Sequence, residues 1–69
     1  MKWKIVCGTW FIQTKEFTYN IDKQLKIWRL SIYSNDRWDE NRSGWLIVKR
    51  EWFNLLRDAK EYAEKWSKK

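Results

Sequence analysis

The chain has 69 residues, a formal net charge of +6 and a single cysteine, and it contains neither histidine nor proline. This composition excludes an internal disulfide and a Cys/His zinc site, and the two glycines form no glycine-rich phosphate loop. The longest apolar run is four residues, too short for a membrane span or a signal-peptide core. We therefore expect a single domain over 1–69, without a membrane, in a reducing cytoplasm.

Residues suited to catalysis are scarce. Cys7 and the serines have no histidine to act as their general base. Asp36, Asp39 and Glu40 lie close together in sequence and could bind a divalent ion, but the spacing of a calcium loop is missing. We expect an ordinary solvated acidic loop there, and a protein that is not an enzyme and has no metal or cofactor.

The first half of the chain predicts β-strands. Apolar residues alternate from Trp3 to Cys7, and the β-branched and aromatic segment after Gly8 continues the pattern. Gly8 predicts a bulge or a sharp bend, and Cys7 is expected to be a small buried residue. The predicted strands cover 2–13, 16–22, 25–34 and 44–48. In the second, Phe17, Tyr19 and Ile21 alternate with Thr18 and Asn20, which predicts a half-buried strand.

The strand over 25–34 has two faces of different chemistry. Trp28, Leu30 and Ile32 are predicted to meet the core, while the alternate positions place an arginine and a tyrosine on the opposite side. A polar segment over 34–43 follows and predicts a loop.

From residue 49 the apolar period changes to 3.6, which predicts an amphipathic helix over 49–67. Its apolar stripe consists of Trp52, Leu55, Leu56, Ala59, Tyr62, Ala63 and Trp66. The stripe is expected to cover the sheet, with a groove on a protein partner as the alternative. A helix of this length spans about 25 Å or more and overhangs a small sheet, so Tyr62 and Trp66 are predicted to form a dimer interface.

The order of elements predicts an α+β fold, a four-stranded antiparallel sheet followed by one C-terminal amphipathic helix. A domain of about 60 residues buries only about 60% of the surface of its unfolded chain. Because neither a disulfide nor a metal stabilises this chain, we expect a homodimer.

Seven tryptophans are more than so small a core requires. Trp38 has only polar and charged neighbours, so it is predicted either to stack on bases or to fold back as a lid on the core. The aromatic and basic residues that follow one another here suit single-stranded nucleic acid, because rings stack on bases and cations track phosphates. The predicted binding residues are Lys23, Lys26, Arg29, Tyr33, Arg37, Trp38 and Arg42.

From Phe17 to Trp66 the chain resembles the DNA-binding domain of the positive-cofactor-four family of transcriptional coactivators. The similarity lies in the strand over 26–33, in the polar segment after it, and in Gly44-Trp45-Leu46-Ile47 followed by Glu51 and Trp52 at the start of a helix. The resemblance implies a curved sheet, a homodimer formed with the help of the C-terminal helix, and single-stranded nucleic acid bound across the strands.

In this resemblance Arg29 approximately matches the family's strand arginine, Trp38 the aromatic just past that strand, and Arg42 the basic residue before the glycine. The chain departs from the family pattern at Val48 and Lys49, where the family has a Ser or Thr cap and often Pro. The basic turn of the family is also replaced by residues 22–26.

The function predicted from the sequence is binding of single-stranded DNA, with RNA as the alternative nucleic acid. The protein is expected to act in transcription, replication or repair, in the cytoplasm of a bacterium, an archaeon or a virus-infected host. A pI near 9.7 favours polyanionic partners. The alternative is a protein-interaction module, such as a phage-encoded inhibitor of a host enzyme, because tryptophan, tyrosine and arginine also dominate protein interfaces.

Overall fold

The computed structural model describes residues 2–68, which form one antiparallel sheet and one helix. The sheet has five strands in chain order, each hydrogen-bonded to the next. The elements are β1 (Lys4–Val6), β2 (Thr9–Gln13), β3 (Phe17–Gln24), β4 (Ile27–Asp39), β5 (Gly44–Phe53) and α1 (Leu56–Ser67). The predicted α+β fold, an antiparallel sheet with a C-terminal helix, is confirmed, but the prediction of four strands was wrong.

The fifth strand arises because the segment 2–13 is a hairpin. Cys7 has φ of 51° and Gly8 has φ of 80°, and Val6 pairs with Thr9 on either side of them. Two consecutive positive φ values between paired residues are typical of a type I′ turn, whose twist suits a two-residue hairpin. The expected bulge or bend at Gly8 is therefore a turn, and Cys7 is exposed at its tip instead of buried.

The prediction of a loop over 34–43 was also wrong in large part. Strand β4 continues to Asp39, and its register with β5 shifts beyond Tyr33. At this β-bulge, Ser34 Oγ accepts a hydrogen bond of 3.1 Å from the backbone N–H of Arg37. A bulge inserts residues into a strand without ending it, so polar composition did not distinguish this segment from a loop.

The helix begins at Leu56, seven residues later than the predicted range of 49–67. Residues 49–53 instead complete β5, where Trp52 pairs with Arg29 of β4. The residue before the helix has an extended backbone and makes no side-chain capping hydrogen bond. Since no Ser, Thr, Asp or Asn cap marks the true start, the position of the boundary depends on strand pairing.

The later start shortens the helix. It has 12 residues and is about 18 Å long at 1.5 Å per residue, so the expected length of about 25 Å is not reached. Within residues 2–68, no helix is long and apolar enough to cross a membrane.

Helix α1 packs on one face of the sheet, here termed the inner face. Ala59 and Ala63 have no exposed surface, because their short side chains let the helix backbone approach the strands closely. The buried strand residues beneath the helix are Tyr19, Ile21, Leu30 and Ile32. They belong to the alternating sets predicted to face inward, so the period-two pattern of β3 and β4 is confirmed.

The two residues predicted at a dimer interface pack within their own chain. The ring of Tyr62 lies 5.5 Å from that of Phe53, and the ring of Trp66 lies 4.9 Å from that of Phe17 and 6.1 Å from that of Tyr19. Both residues nevertheless remain partly exposed. Their contact with a second subunit stays a prediction.

Candidate nucleic-acid interface

The face of the sheet opposite α1, here termed the outer face, carries aromatic and basic side chains. It consists of the strand positions that alternate with the inner face. The three longest rows formed by cross-strand pairing are Lys4–Phe11–Asn20–Ser31–Arg50, Gln13–Thr18–Tyr33–Ile47 and Asp22–Arg29–Trp52. Trp38 pairs with Trp45 near the far end of β4 and β5. The sheet thereby brings together residues that lie up to 48 positions apart in sequence.

Arg29 is held by a carboxylate on its own face. Its Nε and Nη2 donate hydrogen bonds to Asp22 Oδ1 and Oδ2 at 3.1 and 2.8 Å. The guanidinium carbon also lies 5.8 Å from the centroid of the Trp52 ring. This bidentate pair fixes the position of Arg29 and neutralises much of its charge.

The partner carboxylate is more acidic than an ordinary aspartate. Partial burial acts to raise the pKa of Asp22, but hydrogen bonds from Arg29 and Gln24 and the charge of Arg29 outweigh it, and the pKa is lowered. Asp22 is therefore ionised at neutral pH. Among the paired outer-face positions of the described sheet, Asp22 is the only one with a carboxylate side chain.

Arg50 has a different environment. Its Nε donates a hydrogen bond of 3.1 Å to Ser31 Oγ, a neutral acceptor that is itself 2% exposed. Among residues 2–68, Arg50 makes no ion pair. Because the residue is exposed, its full charge is available to an anionic ligand.

Two tryptophans lie side by side at the far end of the outer face. Trp38 and Trp45 are 56% and 47% exposed, and their ring centroids are 5.3 Å apart at an interplanar angle of 81°. The edge-to-face arrangement is a favourable one for aromatic pairs, and it leaves ring surface open to solvent.

Arg42, in the turn between β4 and β5, reaches back over the outer face. Its guanidinium carbon lies 5.6 Å from the centroid of the Tyr33 ring, and Nη2 donates a hydrogen bond to the backbone carbonyl of Trp45. A Cβ atom at Gly44 would meet Nη2 of Arg42 at 3.0 Å. The glycine thus leaves the space that the guanidinium occupies.

The structure brings together four of the predicted binding residues. Arg29 and Tyr33 occupy the outer face, Trp38 lies at its far end, and Arg42 covers Tyr33.

The other three predicted residues lie elsewhere. Lys23 pairs with Trp28 on the inner side of the sheet, with its ammonium nitrogen 5.4 Å from that ring. Lys26 lies in the exposed turn between β3 and β4, and Arg37 lies in the bulge of β4. The prediction that Lys23 shares a binding surface with Arg29 was wrong. Side chains alternate along β3, so Lys23 lies on the face of the sheet opposite Arg29.

Sequence reasoning missed four outer-face residues: Phe11, Trp45, Arg50 and Trp52. Trp45 was assigned to the short strand over 44–48, and Arg50 and Trp52 were assigned to the helix over 49–67. The available signal was the missing Ser, Thr, Asp or Asn cap near Lys49, which argues against a helix start at that position. Phe11 was hidden because the hairpin at Gly8 was not recognised.

The acidic residues near Trp38 serve local structure. Asp36 Oδ1 accepts a hydrogen bond of 2.6 Å from Ser34 Oγ, and Asp39 Oδ1 accepts one of 3.0 Å from the backbone N–H of Asn41. In the part of the chain that the structure describes, no three acidic or thiol side chains are grouped as ligands for a metal ion.

Comparison with protein-family models, curated proteins and solved structures gave no match. One element of the resemblance noted in the sequence does not hold, because Glu51 and Trp52 lie in β5 and not in the first turn of the helix.

Proposed function

We propose that the outer face binds single-stranded nucleic acid, with single-stranded DNA as the first candidate and RNA as the second. The observation that carries the proposal is the convergence of aromatic rings and arginines on the face of the sheet that α1 does not cover, with Trp38, Trp45 and Trp52 exposed. The rings belong to Phe11, Tyr33, Trp38, Trp45 and Trp52, and the arginines are Arg29, Arg42 and Arg50.

The chemistry of a single strand fits this combination. Unpaired bases stack on aromatic side chains at about 1–3 kcal/mol per base, independently of sequence, while basic residues follow the backbone. The outer face has Arg50 without an ion pair in the described chain and Asp22 neutralised by Arg29. The field over this face is therefore positive, as the net charge of +6 also favours.

Tryptophan fluorescence can test the proposal directly. Titration with oligo-dT and oligo-U at several salt concentrations should quench the emission, with affinity that falls as salt rises. An Arg50→Gln variant should bind more weakly, whereas Arg57→Gln on the exposed side of α1 is the matched control for net charge. Equal losses in both variants would argue for non-specific attraction, and no binding by the parent would favour a protein partner.

We also propose that the protein acts as a homodimer through the end of the sheet near Trp66. A depression of about 750 Å³ lies there, lined in part by Phe17, Tyr19 and Trp66. A second copy would cover this aromatic surface and add the buried apolar area that a chain of 69 residues lacks. Sedimentation equilibrium tests this part independently of nucleic-acid binding.

A further inference from the structure

We propose that a pocket on the outer face holds one nucleobase and prefers keto bases, namely guanine, thymine and uracil, over adenine and cytosine. The inference rests on the proposed binding of single strands, and adds a base preference to it. The pocket has a volume of about 330 Å³ and lies between β2, β3, β4 and the turn that carries Arg42. This volume is at the lower end of the range of about 300–1,000 Å³ for small-molecule sites, so it suits one nucleotide.

The wall of the pocket is fixed before any ligand binds. Thr18 Oγ1 donates a hydrogen bond of 2.6 Å to Asn35 Oδ1, and Asn35 Nδ2 donates one of 2.8 Å to the backbone carbonyl of Thr14. The backbone N–H of Asn35 also donates to the carbonyl of Glu16 at 3.0 Å. These bonds tie the bulge of β4 to the turn between β2 and β3, so the pocket is preorganised.

Two side-chain amides in the pocket have no partner within residues 2–68. Gln13 and Asn20 line the pocket, and neither side chain makes a hydrogen bond in this part of the chain. An amide provides both a donor and an acceptor, so these residues can pair with the edge of a base. Tyr33 and Trp45 supply aromatic surface beside them.

Arg42 determines which edge fits. A guanidinium only donates hydrogen bonds, and one Nη of Arg42 is already used by the Trp45 carbonyl. A keto oxygen accepts from the remaining N–H groups, and the adjacent ring N–H of the base can donate to an amide oxygen or to Thr18 Oγ1. At the position of the keto oxygen, the exocyclic amino group of adenine or cytosine would place donors against the donors of Arg42. The pocket lining has no carboxylate to receive this group, so only a neutral amide or hydroxyl oxygen away from Arg42 could accept from it.

Two oligonucleotides of repeating sequence, one with only keto bases and one with only amino bases, test the base preference. Alternating GT and AC oligonucleotides of about 16 nucleotides, the upper end of the range for one OB fold, carry equal charge, and neither forms Watson–Crick pairs with itself. Every base of the first strand is a keto base, so any binding register presents one to the pocket. We expect the parent protein to bind the GT strand about tenfold more tightly, which corresponds to about 1.4 kcal/mol.

Three variants locate the preference. Arg42→Lys keeps the charge but loses the planar donor fork, so it should reduce the GT/AC ratio towards one with an unchanged salt dependence. Asn20→Ala should reduce the ratio as well, and Gly44→Ala should do so by displacing the Arg42 guanidinium. Asn54→Ala removes an exposed amide outside the pocket and should retain the parent ratio. Thermal unfolding confirms that each variant is folded.

The outcomes distinguish this inference from the proposed function. If neither strand binds, the proposed function fails. Equal binding of GT and AC strands by the parent overturns the base preference alone, and so does tighter binding of the AC strand. A preference for GT that survives in Arg42→Lys and Asn20→Ala would place base selection outside the pocket and would also overturn the inference.

Discussion

Trp38 and Trp45 face each other across β4 and β5, with ring centroids 5.3 Å apart and planes at 81°. The pairing shows that Trp38 is not a lid on the core, since it contacts a second exposed tryptophan and is itself 56% exposed. A bulge at Ser34 sets the register that brings the two rings together. The two rings together form an aromatic platform at the end of the outer face.

Replacement of Trp38 tests this platform. Trp38→Ala should weaken oligo-dT binding by about 1–3 kcal/mol, the range for one base–aromatic stack, and should lower stability by only about 0.5–1.5 kcal/mol through loss of the aromatic pair. Trp38→Phe should recover part of the affinity, because a smaller ring remains. Titration and thermal unfolding of the same samples give both quantities. Unfolding of the Ala variant, or parental affinity in it, would contradict the prediction.

The two strand arginines should differ in their salt dependence. Arg50→Gln should reduce the slope of log K against log salt by about 0.7, the value for one phosphate contact on a single strand. Arg29→Gln should change the slope less, because Asp22 already pairs with Arg29 at 2.8 Å. Titrations over a range of salt concentrations give both slopes. A larger change in Arg29→Gln would mean that the ligand displaces Asp22.

Asp22 should contribute to the acid sensitivity of the fold. Its pKa is lowered from the ordinary value of 3.8 in the folded protein, so its stabilising effect is present above that value. The effect is lost as the pH falls through the lower folded pKa, because Asp22 must then become protonated. Urea midpoints measured from pH 5 to about pH 2 should fall less steeply in Asp22→Asn than in the parent. An unchanged slope in Asp22→Asn would contradict the prediction.

Leu25 should be replaceable with a gain in stability. It is 96% exposed at the tip of the turn between β3 and β4 and has φ of 59°, a conformation that costs an ordinary residue about 1–2 kcal/mol. Leu25→Asn should recover part of this cost and raise the melting temperature by about 4 °C, since asparagine tolerates positive φ. Lys26→Asn is the control, because Lys26 is the neighbouring turn residue and does not have positive φ. This variant should not gain stability. An equal gain in both variants would refute the explanation by backbone strain.

The proposed dimer depends on Trp66. At tens of micromolar the protein should sediment at about twice the chain mass of 8.7 kDa. Trp66→Ala should shift it to the monomer, and should also lower stability because Trp66 packs on Phe17 at 4.9 Å. Lys65→Ala removes the preceding exposed side chain of the helix and is the control. A stable monomer of the parent protein at this concentration would refute the dimer.

The sequence by itself determined the elements whose apolar period is unambiguous. Strict alternation in β3 and in the first part of β4 identified both strands and the side chains that face the core, since only one register buries Tyr19, Ile21, Leu30 and Ile32 together. The spacing of Ala59 and Ala63 likewise identified the helix and its buried stripe. These inferences needed only local pattern, because period and burial are linked within a single element.

The tertiary structure decided where strands end and which residues share a face. Trp52 fits the helical stripe by its spacing, but its pairing with Arg29 places residues 49–53 in β5. The hairpin at Gly8 and the bulge at Ser34 set two registers that local composition does not specify. Strand pairing joins segments that are distant in sequence. The register between β4 and β5 places Arg50 and Trp45 on the same face as Arg29 and Tyr33. The outer face and its pocket therefore exist only once the sheet is assembled.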